Sequence, residues 1–491
     1  MVRRCCLFLL LLSCALAFAD RKTAPKIPAQ IRGGGQLRVT TSSKQARTDF
    51  EAAMQNFEQY RLNETLQFLR AATKSDPKFA QAFIMIAKIS KDPAEQEEAR
   101  RQAKQLAPKT SQGERLLIRW LAGAQEDNYL PAIAAMNDLL AKYPQDARLA
   151  FLAGDWLTLQ ERYQQAAGIL EHALAIQPDY PAALNDLGYT YAYAGDFEKA
   201  FSAMDRYVAL VPDEPNPHDS YGEILRMNGK FDAALEQYRT SVRMDPNFGS
   251  ELGIADTLAL MGKGQAAREE YDRAIVFAGS QNDKVQYELQ SALTWIREGN
   301  HKQAERALGE VAKHAHTAGL ARLEAEAHRV LAMYEPNSKS AVRELQAAEY
   351  VLQEPHEISV TDRNEERARI LRVRATRLAE ADVTSAAQAV SELEAMSEKS
   401  RSPVIQLCYH GAAGAVLAAQ GKYADAIPHL QEDSADPLSM RLLWRAYNST
   451  GASADAQAVA GRLAGLNVPT VEQALVVPQF RARLVSEARQ P

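Results

Sequence analysis

Residues able to do chemistry are present in this chain, but not at the spacings that chemistry requires. His314 and His316 lie two apart in a helical pattern, where side chains project about 200° from one another and do not share a metal ion. All nine histidines are scattered. Cys408 is the one cysteine beyond the first 19 residues. Its apolar neighbours Val404, Ile405 and Leu407 suit a structural thiol rather than a nucleophile. Gly262-Lys263-Gly264 superficially resembles a phosphate-cradling loop, yet it follows a helical pattern and reads as a turn. No GxSxG, HExxH, CxxC or GxxxxGK[ST] occurs. The run from Glu95 to Arg101 mixes charges at helical spacing and reads as a solvated, self-paired face. A non-enzymatic protein follows, with no catalytic residue, cofactor or metal expected.

Composition narrows the partners. The 491 residues carry a net charge of −5, so the basic surface needed for nucleic acid is missing and none is expected as a partner. Residues 1–19 read as a signal peptide: Arg3 and Arg4, an apolar centre from Cys5 to Leu12, and Ala17-Phe18-Ala19 as a cleavage site before Asp20. Its removal leaves 55 basic against 62 acidic residues, a net charge of −7. Alternatively, Leu11-Leu12-Ser13-Cys14 resembles the lipobox of bacterial lipoproteins, with Cys14 acylated. Both readings export the chain to a periplasmic or extracellular location. Membrane attachment is expected only if Cys14 is lipidated. With Cys408 then alone, no intramolecular disulfide stiffens the mature chain. Residues 20–43 read as a flexible basic linker, broken by Pro25, Pro28 and Gly33-Gly34-Gly35. Ser42 with Gln45 fits a capping box for the first helix.

The elements that would position any site come from a repeat. Gly154, Gly188 and Gly222 lie 34 residues apart, as do Ala166, Ala200 and Ala234, and Pro178, Pro212 and Pro246. In 181–214, Leu184, Leu187, Gly188 and Tyr191 follow the i, i+3, i+4, i+7 pattern of one helix, and Phe197, Ala200, Met204 and Val208 line a second. Gly188 and Ala200 fit the close crossing of the two axes. The runs LNDLGYTYAYAGDFEKAFSAMDRYVALVPD and SYGEILRMNGKFDAALEQYRTSVRMDPN resemble near-consensus tetratricopeptide repeats. The resemblance implies an all-α fold: a right-handed superhelical solenoid of antiparallel helix pairs with a concave groove. It covers 147–278 most clearly, within an N-terminal array over 44–278. The pairs between 114 and 143 are read from pattern rather than from the strict period. A degenerate array follows over 279–466, with 354–362 as a bend into a second lobe. Residues 467–491 read as a capping tail whose short helix is bounded by Pro469 and Pro478.

In such arrays the first helix of each repeat lines the groove. The resemblance therefore places Asn185, Tyr189 and Tyr193, then Asp219, Glu223, Arg226 and Met227, on the binding face. Tyrosine beside arginine resembles an interface hot spot, and Asp219 with Glu223 favours a basic or mixed peptide over a terminal carboxylate. The expected function is an exported scaffold that binds a protein or peptide in its groove. The alternative is a lipoprotein acting in cell-envelope assembly or transport.

Overall fold

The computed structural model describes residues 35–354 and 358–487, with side chains to residue 484. The signal peptide, Cys14 and the first part of the linker lie outside the described residues. Among those described there are 25 α-helices and no strand, and no helix is long and apolar enough to cross a membrane. The chain forms two compact units, one of residues 35–212 with 358–361, the other of 213–354 with 362–487.

The first unit contains α1 (Lys44–Phe57), α2 (Leu62–Ser75), α3 (Ala80–Ile89), α4 (Pro93–Leu106), α5 (Gln112–Gln125), α6 (Tyr129–Lys142), α7 (Ala147–Leu159), α8 (Tyr163–Ile176), α9 (Pro181–Tyr193) and α10 (Phe197–Leu210). Consecutive helices pair, α1 on α2 through α9 on α10. The small-residue columns explain the pairing: a Cβ on Gly154 of α7 would stand 2.5 Å from Cγ of Leu170 on α8. Ala166 and Ala200 are fully buried where second helices cross first ones.

The 34-residue period runs further than the glycine column suggests. The turn inside each repeat needs one left-handed residue, supplied by Gly195 at φ +82° and, 34 positions earlier each time, by Glu161 at +59° and Asp127 at +52°. The pairs between 114 and 143 are thus in register; the sequence hides it because residues other than glycine occupy the turn. A left-handed residue with a side chain costs about 1–2 kcal/mol, against about 0.5–1 kcal/mol for glycine's greater freedom when unfolded. Glu161→Gly is therefore expected to raise stability by about 0.5–1 kcal/mol, read from the midpoint of denaturant unfolding. An unchanged or lower midpoint would show that the turn is unstrained.

The end of the expected linker is not free. Leu37 N–H donates to Asp146 at 2.8 Å and Thr40 N–H to Glu114 at 2.7 Å, and Thr41 Oγ1 donates to Asp76 at 2.6 Å. Both Asp146 and Glu114 cap helices and are buried, so residues 37–41 serve as second ligands to capping carboxylates. The cap of α1 is Ser43, accepting from Ala46 N–H, rather than Ser42.

The second unit contains α11 (Pro215–Met227), α12 (Phe231–Met244), α13 (Glu251–Leu260), α14 (Gly264–Val276), α15 (Gln281–Arg297), α16 (His301–Thr317), α17 (Ala321–Tyr334), α18 (Ser338–Gln353), α19 (Val360–Leu378), α20 (Val383–Lys399), α21 (Pro403–Ala419), α22 (Tyr423–Glu432), α23 (Pro437–Thr450), α24 (Ser453–Ala464) and α25 (Val471–Glu487). The glycine contact recurs where Gly222 faces Tyr238 and Gly414 faces Leu430. The last helix departs from expectation. It spans 17 residues with Pro478 inside it, and it packs on α15 and α23 as well as on α24. Val471 and Ala474 belong to one apolar cluster with Val285, Leu289 and Leu323. Val476, Val477 and Phe480 belong to another with Leu430, Leu443 and Leu463. The apolar positions Val471, Ala474, Val476, Val477 and Phe480 of α25 are buried in these two clusters, while Gln479, Ala482 and Arg483 stay exposed.

Candidate interaction faces

In the first unit, α9 carries Asn185, Tyr189 and Tyr193. Asn185 is 3% exposed, and its Oδ1 is buried without a hydrogen-bond partner. Tyr193 is buried between two rings, 5.9 Å from Tyr163 on α8 and 6.1 Å from Tyr189. It therefore cements neighbouring repeats. Tyr189 is only half-buried and stacks on Tyr193 with a 23° interplanar angle. Of the three, it alone keeps substantial accessible surface.

In the second unit, α11 carries Asp219, Glu223, Arg226 and Met227. Arg226 is 1% exposed and donates to Asp256 at 2.9 Å and to Glu223 at 2.9 Å, while Tyr271 Oη donates to Asp256 at 2.6 Å. These bonds make Arg226 an internal tie between α11 and α13. Asp219 and Met227 are also buried, and the Met227 carbonyl accepts from Asn467 Nδ2 at 3.5 Å. Glu223 retains partial exposure.

The same unit holds a polar network that the repeat pattern did not single out. Arg297 at the end of α15 donates through Nη2 to Gln473 of α25 at 2.9 Å and to the Thr470 carbonyl at 3.5 Å. Arg329 of α17 pairs with Glu366 at 2.6 Å and approaches Glu472 of α25 at 4.0 Å. Arg372 of α19 pairs with Asp433 at 2.6 Å and Asp436 at 3.0 Å. Burial, and then the neighbouring Asp436, push the Asp433 carboxyl up to about 8, although Arg372 pulls the other way. Glu472 is raised for the same two reasons. The available sequence signal is arginine inside apolar runs, as in Trp295-Ile296-Arg297, Arg329-Val330-Leu331 and Ile370-Leu371-Arg372-Val373.

The histidines are less scattered than their sequence positions suggest. His410 Nδ1 and His429 Nδ1 are 3.1 Å apart on α21 and α22. Burial and His429 lower the affinity of His410 for a proton. Among the described residues no group of three potential metal ligands forms. His314 and His316 meet separate carboxylates, Glu288 and Glu324. Cys408 is fully buried and its thiol is pushed up to about 12 by that burial, which leaves it unreactive.

Family models described as tetratricopeptide repeats match residues 157–224, and 121–181 with 222–283. Similar solved structures include a tetratricopeptide repeat protein from Parabacteroides merdae, 12% identical, covering 55% of this chain and 93% of that one with a TM-score of 0.35. The Cut9–Hcn1 hetero-tetramer of the APC/C is 17% identical, covering 82% of this chain and 76% of that one with a TM-score of 0.38. PilW, a type IV pilus biogenesis factor, is 22% identical, covering 42% of this chain and 96% of that one with a TM-score of 0.30. Arrays of this kind act as protein-interaction scaffolds, and the matched repeats and paired helices make residues 121–283 of this chain a tetratricopeptide repeat array.

Proposed function

We propose that the chain is an exported, non-catalytic scaffold that binds a protein or peptide along its first-helix faces. The observation that supports this most directly is α25. The second unit already holds a helix through apolar contacts and through side-chain bonds from Arg297, so these faces have the chemistry to seat one. In the first unit, half-buried Tyr189 is the aromatic group offered to a partner. Tyr189→Ala is expected to weaken capture of an envelope protein about tenfold, as a hot-spot truncation of ~1.4 kcal/mol does. Quantitative pull-down from the cell envelope beside Glu223→Ala checks it; equal recovery of every partner by both variants rejects the assignment.

Export rests on the leader composition. Leu11-Leu12-Ser13-Cys14 favours a second form, a lipoprotein held at a membrane and acting in envelope assembly or transport. Mass spectrometry of the mature N-terminus separates them. A chain starting at Asp20 removes the lipoprotein, and an acylated Cys14 removes the simple secreted form.

A further inference from the structure

We propose that the face of α15, α17 and α23 on which α25 packs is a receptor for an acidic amphipathic helix from another protein, with α25 its resident competitor and Arg297 the position selecting a carboxylate. The proposal rests on the scaffold reading above and names the chemistry of the partner.

The arginines facing α25 and its neighbours are unequally matched in charge. Arg329 and Arg372 each face a carboxylate within ion-pair distance. At Arg297, by contrast, Nε and Nη2 meet the neutral amide oxygen of Gln473 at 3.2 and 2.9 Å. Its Nη1 is shielded from solvent and has no hydrogen-bond partner. Asp256, which acts on Arg297 electrostatically, is already bonded to Arg226 and Tyr271. A shielded guanidinium whose hydrogen bonds all go to neutral acceptors, with Asp256 shared with Arg226, is only partly compensated for its lost hydration. A carboxylate at the position of Gln473 would supply that charge and accept from two nitrogens at once, the geometry in which arginine binds most strongly.

The remaining contacts define the rest of the ligand. Val471 and Ala474 fill the cluster beside α15 and α17, while Val477 and Phe480 fill the one beside α23 and α24. Phe480 stands edge-on to Trp444 at 5.3 Å, and Arg483 lies over that ring at 4.6 Å. A matching partner is therefore a helix with apolar groups at these positions and an aspartate or glutamate where α25 carries Gln473. The resident helix is tethered and so competes at high effective concentration, which a competitor must offset by gaining at the one poorly matched position.

Two labelled synthetic peptides test this, both with the sequence of residues 466–484, one native and one carrying Gln473→Glu. They are titrated by fluorescence anisotropy into the full chain bearing Phe480→Ala, which loosens α25 at Trp444. The acidic peptide is expected to bind about tenfold more tightly or better, as a charge-assisted pair replaces a neutral one. Arg297→Gln in the same background should abolish that difference. Within the otherwise unaltered chain, Gln473→Glu should raise the melting temperature and weaken peptide binding. Equal binding of the two peptides, a difference that survives Arg297→Gln, or a lowered melting temperature in Gln473→Glu overturns the proposal. A Phe480→Ala protein that dimerises by exchanging α25, seen by light scattering, also overturns it by making a second copy the occupant. If neither peptide binds while the envelope partner is still captured, the receptor face is refuted and the scaffold reading stands; loss of both refutes both.

Discussion

At pH 9, where Asp433 is ionised, Arg372→Ala is expected to lower the stability of the second unit by about 3–5 kcal/mol. Arg372 is the cation between Asp433, which is fully buried, and Asp436, which is 1% exposed. Removing it deletes the contacts at 2.6 and 3.0 Å and the hydrogen bond to Ser439 at 3.1 Å. The cost comes less from those lost bonds than from the carboxylates left behind. Asp433 and Asp436 are both shielded from solvent, and Asp436 also caps α23 by accepting from Leu438 and Ser439 N–H. Chemical denaturation followed by circular dichroism measures the loss. A drop under 1 kcal/mol would show that the acids rehydrate or are protonated at little cost. Because the deficit is electrostatic, it should be larger at pH 9, where Asp433 is ionised, than at pH 5, where it is protonated.

The second large effect is a pH dependence opposite to ordinary acid denaturation. The folded value for Asp433 is about 8, against about 4 for an aspartate in an unfolded chain. A group raised on folding contributes stability that is complete below its unfolded value and is lost as pH rises through its folded one. Glu472 is displaced in the same direction. The second unit should therefore be more stable at pH 5 than at pH 9, by roughly 2–5 kcal/mol. Exposed carboxylates with lowered values, such as Asp196 and Asp382, act in the opposite sense but only in more acid solution. Melting curves of the parent and of Asp433→Asn decide it. The parent should lose stability across the window, and the variant, carrying a permanently neutral side chain, should show most of that slope removed. Identical slopes in both would place the titration elsewhere.

The two effects arise in a region whose sequence carried the weakest repeat signal, and the reason is physical. Columns such as Gly154, Gly222 and Gly414 are readable because each answers a local steric demand, the approach of Leu170, Tyr238 or Leu430 from the next helix. Local demands repeat with the chain, so they appear as a period. Where the demand can be met by other residues at some cost, as by Glu161 and Asp127 in the left-handed turn, the period persists in the backbone while vanishing from the sequence. Face assignment was legible to the level of the helix. Tyr189, Tyr193 and Arg226 do lie on first helices, but whether a side chain there meets a partner or its own neighbours depends on contacts the period does not encode.

The amino-acid sequence by itself determined the helix pairs, their crossings and most of their turns, because each follows from residues within about 34 positions of one another. Tertiary structure alone decided which polar residues became ties and which face was filled. Arg372 meets Asp433 across 61 positions and Arg297 meets Gln473 across 176. Small angular increments from each successive pair add up to bring those residues together, and no local pattern records the sum.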